Sequence, residues 1–183
     1  MFEKILIDHC SPTLAGIKTA NLVNISLNSR EELLSELREI NSRLSGKGVR
    51  AFPLKMGERS MMLYLYRPGR LQMDLKDPDA MNLLASLGYS PEQTGRCLAM
   101  LSKKIMDGSD FPHEIGLFLG YPPSDVRAFM ENKGSGYKYV GLWKVYGNLG
   151  SALSYFNKCK QCSRIYRDQW SRGHSIEQLT VAT

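Results

Sequence analysis

Hydrophobic positions along this chain recur at helical spacing in some stretches and at alternating spacing in others, the pattern of a mixed α and β protein. The clearest helix follows Ser29-Arg30-Glu31-Glu32, where a serine precedes a glutamate by three residues, the pairing that caps a helix start. Behind it Leu33, Leu37, Ile40 and Leu44 form one stripe, and Gly46 and Gly48 end it. Residues 18–26, 49–55 and 60–67 read as strands, the last two joined by a turn at Met56-Gly57-Glu58-Arg59. Residues 2–9 predict a short helix, after which Ser11-Pro12 caps and starts a further helical turn that Gly16 ends. Asp77-Pro78 and Ser90-Pro91 each set a polar cap before a proline suited to a first turn, so helices are expected to about Leu87 and Met106.

The stretch 111–130, FPHEIGLFLGYPPSDVRAFM, predicts two short helices around a Gly-Tyr-Pro-Pro corner. Ile115, Phe118 and Leu119 face one way in the first, and Val126, Phe129 and Met130 do so in the second. The corner is spaced like a helix-turn-helix, with small Gly116 and Gly120 ahead of Val126. Its second helix, however, offers base edges only Ser124, Asp125, Arg127 and Glu131, a poor donor set behind two prolines. Glycine-flanked aromatics then predict a strand over roughly 139–146, followed by a long helix from about Leu149 to Arg172. The tail SIEQLTVAT predicts an edge strand or a frayed end. The expected fold is a single α+β domain over 1–183: a small, mostly antiparallel sheet covered by helices, with a helix-corner-helix at 111–132 and a long C-terminal helix. The sheet would use 18–26, 49–55, 60–67 and 139–146.

Composition narrows the function classes. With 43% hydrophobic and 23% charged residues the chain is globular, which excludes wholesale disorder. No apolar run approaches the roughly 20 residues of a membrane span. The start MFEKILIDHC lacks a basic and then apolar leader, and four cysteines without such a leader fit reduced thiols and a cytoplasmic location. The net charge is +6, and residues 131–183 carry eight basic residues against three acidic ones, which is most of the excess. Such a segment invites an acidic protein or nucleic acid.

Three places could carry chemistry. Cys10, just before the turn expected at Ser11, would lie near the positive end of a helix, which favours a nucleophilic thiolate; His113 could act as its base, oriented by Glu114. Cys159-Lys160-Gln161-Cys162 puts two sulfurs on one side of a helix, a spacing that suits a metal or a redox pair. A metal there needs further ligands, and Cys10 and His113 could join Cys162. The third is the basic, aromatic C-terminal stretch with Tyr137, Tyr139 and Trp143, where Lys144, Lys160, Arg164 and Arg167, with Arg127 of the corner, could hold nucleic acid. No phosphate loop, GxGxxG, HExxH or G-x-S-x-G motif is present, so no cofactor is specified.

On HCSPTLAGIKTANL (9–22), FPHEIGLFLGYPPSDVRAFM (111–130), GLWKVYG (141–147) and FNKCKQCSRIY (156–166), the chain resembles an uncharacterised, largely clostridial bacterial family, domain of unknown function 3793. The resemblance runs almost end to end. It implies a metal or redox connection and matches Cys10 and His113, while family members often carry Tyr at the position of Cys159. The function these readings favour is a non-enzymatic cytoplasmic binding or accessory protein, with its surface formed by the 9–18 loop and the 111–123 corner. The alternatives are a thiol-dependent enzyme or metal/redox protein using Cys10 with His113, and a nucleic-acid-binding protein using the 113–130 segment and the basic C-terminal stretch.

Overall fold

The computed structural model describes residues 2–108 and 110–182. Its elements run α1 (Phe2–Leu14), β1 (Ala20–Ser26), α2 (Arg30–Leu44), β2 (Arg50–Met56), β3 (Ser60–Tyr66), α3 (Pro68–Leu75), α4 (Pro78–Ser86), α5 (Thr94–Asp107), α6 (Ile115–Phe118), α7 (Pro123–Glu131), β4 (Tyr139–Val140), β5 (Lys144–Val145), α8 (Leu149–Ser171) and α9 (Ile176–Leu179). The fold is α+β. The chain divides into two units, Met1–Gly69 with Cys159–Thr183, and Arg70–Lys158.

The first unit is built on an antiparallel sheet in the order β1-β3-β2. Val23 lies opposite Leu63 and Ile25 opposite Met61, so alternate residues share one face. That face meets Phe2, Leu6, Ile7 and Leu14 of α1 and Leu33, Ile40 and Leu44 of α2 in a continuous buried core. The α2 stripe packs as its spacing predicts, and Ser29 caps it by accepting from Glu32 N at 3.2 Å. The capping carboxylate of Glu32 reaches one residue farther back than expected, accepting from Asn28 N at 3.0 Å. Strand β2 is an edge, where Pro53 costs no ladder bond, and the register slips between Pro53 and Lys55. Asn41 covers that edge: its amide donates to Ala51 O at 2.9 Å and accepts from Ala51 N at 2.8 Å.

Two local expectations fail in this unit. Helix α1 does not stop at residue 9 and restart at Ser11; it runs unbroken to Leu14 with Pro12 inside its last turn. Ser11 Oγ donates back to Ile7 O, and Pro12 O accepts from Ile17 N and Lys18 N, both at 2.9 Å. The 9–18 stretch is therefore no surface loop: Cys10 to Leu14, Lys18 and Thr19 are buried. As far as Ala182 the tail is neither strand nor frayed. Ser175 and Gln178 form a capping box on α9, and the segment is tied to the unit by cations. Arg43 pairs with Glu177 and Glu3, Lys47 donates to Glu177 O at 2.6 Å and Thr180 O at 3.0 Å, and Val181 N donates to Leu14 O at 3.0 Å. The hydrogen bond from Arg43 outweighs burial and holds the Glu177 carboxyl down at about 2.

Arg67 completes this arrangement from within. It is 1% exposed, and its guanidinium donates to Thr13 O at 2.7 Å, Leu14 O at 2.6 Å and Val181 O at 2.8 Å. Thr13 and Leu14 carry the last carbonyls of α1, which have no partner within the helix and lie at its negative end, so a buried cation fits there.

In the second unit α4 starts at Asp77-Pro78 as its sequence predicts, with Asp77 Oδ1 accepting from Asp79 N at 2.9 Å. Helix α5 starts at Thr94 rather than behind Ser90, because Ser90-Pro91-Glu92 closes a turn of its own through Gln93 N to Ser90 O at 2.9 Å. Gly120 turns the 111–132 corner at φ +73°, and Pro123 opens α7. Gly116 permits the close approach of α6 to α7: a Cβ there would stand 2.7 Å from Val126 Cγ2. The stretch 139–146 is not a strand of the main sheet. It folds on itself as a two-stranded hairpin, Tyr139 opposite Val145 and Val140 opposite Lys144.

Candidate ligand-binding cleft

The hairpin lies against the corner because of two fits that are distant in sequence. Gly141 packs flat on a ring of α8, where an added Cβ would fall 2.1 Å from Phe156 Cε2. Asp125, in the first turn of α7 and 4% exposed, reaches the strand end: Trp143 Nε1 donates to its Oδ2 at 2.7 Å, and Tyr146 N and Gly147 N donate to Oδ1 at 3.1 and 2.7 Å. Trp143 is thereby fixed beside Tyr121, ring centroids 4.9 Å apart, and edge-on to Phe156 at 4.6 Å.

Between corner and hairpin this leaves a cleft of about 320 Å³, walled by Tyr121, Val126, Phe129, Leu142 and Trp143, with His113 and Lys144 supplying polar atoms. Val140 and Leu142 on the hairpin remain 53% and 42% exposed, an apolar pair beside an apolar hollow. The His113 ring meets Phe129 edge-on at 4.9 Å. The Lys144 ammonium donates to Gly134 O at 2.7 Å and lies 4.7 Å from the Tyr137 ring centroid and 5.5 Å from that of Phe129. Such a cleft can hold an apolar or aromatic group and offer one cation; no serine, threonine or cysteine lines it.

The residues expected to carry thiol chemistry are placed otherwise. Cys10 is fully buried inside α1, near its C-terminal rather than its N-terminal end, and burial pushes the thiol up to about 12 despite the charge of Lys18. The misplacement follows from the continuous helix: without a fresh start at Ser11 there is no positive helix end beside the sulfur. Cys10 belongs to the first unit and His113 to the second. Glu114 does not orient His113. It is buried, and Lys104 and Tyr89 Oη donate to its carboxylate at 2.7 and 2.9 Å. Burial alone would raise that carboxyl, but these hydrogen bonds bring it below its ordinary value. Cys159 and Cys162 are both buried on α8, and burial pushes Cys162 up to about 11. Among the described residues no three His, Cys, Asp or Glu side chains converge as metal ligands.

An aromatic disulfide reagent at about pH 8 is accordingly expected to label less than one thiol per chain within minutes in the native protein, and all four after unfolding. A fast equivalent that disappears in Cys10→Ser would restore the thiolate reading.

The nucleic-acid candidates divide. Arg127 is exposed on α7, and Lys160, Arg164 and Arg167 are exposed on α8. Lys144 is instead half-buried in the cleft. The first turn of α7, the part a recognition helix inserts into a groove, is bonded through Asp125 to Trp143, Tyr146 and Gly147. His113, Lys144, Asp125 and Trp143 each stand out in the sequence for a different role. What the sequence does not signal is that they meet, or that Val140 and Leu142 stay exposed.

Fold and site together define an α+β protein with an aromatic-walled cleft in its second unit. By sequence pattern the chain belongs to the family described as "Protein of unknown function (DUF3793)", which it matches over residues 6–180. No curated protein and no solved structure matches it. No helix among the described residues is long and apolar enough to cross a membrane.

Proposed function

We propose that this is a non-enzymatic binding protein of the cytoplasm whose working site is the cleft of the second unit. The observation that carries this reading is the pairing of an open, aromatic-walled hollow with exposed apolar Val140 and Leu142 on the hairpin beside it. Ligand sites are concave and mostly apolar, with few polar groups, and this cleft has that make-up, with no serine, threonine or cysteine in its lining and no metal-ligand cluster among the described residues. Burial of Cys10 removes the main support for a thiol enzyme.

The test is an amide and indole NMR titration with neutral 2-naphthamide, a flat fragment small enough for the cleft. Shifts are expected to centre on the Trp143 indole N–H and the amides of Gly116, Gly141 and Leu142. Binding elsewhere, or none, overturns the reading.

A further inference from the structure

Resting on the cleft as a binding site, we infer that its ligands are flat aromatic acids, with the ring against the Tyr121–Trp143 wall and the carboxylate held by Lys144. The volume of about 320 Å³ sits at the small end of ligand clefts, room for one or two fused rings rather than a chain. The wall suits a ring. Tyr121 packs on Trp143 with ring centroids 4.9 Å apart, and Trp143 is held by its indole bond to Asp125, so the aromatic wall is already in place when a π-system arrives.

The charge comes from Lys144. Its ammonium has three N–H donors, and one is spent on Gly134 O, which fixes the group at the Phe129 end of the cleft. Among the described residues no carboxylate pairs with it. Asp125, the acid that lines the cleft, has both oxygens engaged by the three N–H groups of Trp143, Tyr146 and Gly147. Between residues 126 and 158 the sequence holds Arg127, Lys133, Lys138, Lys144 and Lys158 against Glu131 alone, so the surrounding field also favours an anion. A half-buried ammonium is already partly stripped of water, which strengthens its bond to an incoming carboxylate.

The experiment compares 2-naphthoate with 2-naphthamide, equal in shape and differing in charge, by the same NMR titration of the full chain. The acid is expected to bind about tenfold tighter, the worth of one charge-assisted hydrogen bond. Lys144→Met should bring the acid and the amide to equal affinity, while Lys144→Arg keeps the acid's advantage. Equal affinities in the wild-type cleft, or an advantage that survives Lys144→Met with a native spectrum, would overturn the inference and leave the binding site standing. If neither compound shifts the cleft signals, the inference and the reading beneath it both fall.

Discussion

Replacing Arg67 by methionine is expected to lower stability by about 3 kcal/mol, since each buried carbonyl left without its donor costs roughly 1–3 kcal/mol. Methionine keeps most of the stem volume, so the loss reports hydrogen bonds rather than a cavity. Thr13 O, Leu14 O and Val181 O lose a donor, as does Lys47 O, whose bond is long at 3.4 Å. Leu14 O keeps the bond from Val181 N and Thr13 O that from Gly16 N, which holds the loss near the low end. For a chain of this length that loss corresponds to a fall in Tm of roughly 6–12 °C. The C-terminal segment should loosen first. It is tied down by Arg67 at Val181, by Lys47 at Glu177 and Thr180, and by Arg43, so proteolysis or amide exchange at 174–182 should accelerate before the sheet opens. A thermal scan of Arg67→Met beside exposed Lys55→Met checks this. Equal melting points would mean that the carbonyls find water when the guanidinium is gone, and that Arg67 is not what joins α1 to the tail.

This arrangement also marks where sequence reading stops. Helix α2 is legible because everything that specifies it is local: a serine cap, a glutamate three residues on, and a stripe at helical spacing. The hairpin of β2 and β3 and the corner at Gly120 are legible for the same reason. Arg67 is not, because an arginine before a proline reads as solvated unless carbonyls from residues 13, 14 and 181 are known to converge on it. Pro12 misleads in the opposite way. Proline suits a first turn in general, but here it sits in a last one, and that single inversion moves Cys10 from a positive helix end to the core. The candidate site fails to show for the same physical reason. Gly141 is selected by Phe156 and Asp125 by Trp143 and Gly147, pairings that are 15 to 22 residues apart and leave no periodic trace.

Asp125 is where fold and site depend on one side chain, and two substitutions separate its roles. Asp125→Ala leaves three buried or half-buried N–H groups without an acceptor, at roughly 1–3 kcal/mol each, so a loss of about 3–5 kcal/mol is expected. Asp125→Asn should cost less. An asparagine oxygen in the Oδ1 position still accepts from Tyr146 N and Gly147 N, and only the Oδ2 partner, the Trp143 indole, meets an amide N–H instead of an oxygen. The asparagine variant should therefore keep the hairpin docked and the melting temperature within a few degrees, with the Trp143 indole signal moved. Its cleft should bind 2-naphthamide more weakly, because the stacking wall is no longer fixed. The alanine variant should lose the hairpin's amide protection altogether, and the fragment with it. If Asn proves as damaging as Ala, the backbone bonds to Tyr146 and Gly147 contribute little, and the indole bond alone holds the hairpin to α7. If both are benign, the fit of Gly141 on Phe156 suffices to place it, and the cleft is set by packing with no need of the carboxylate.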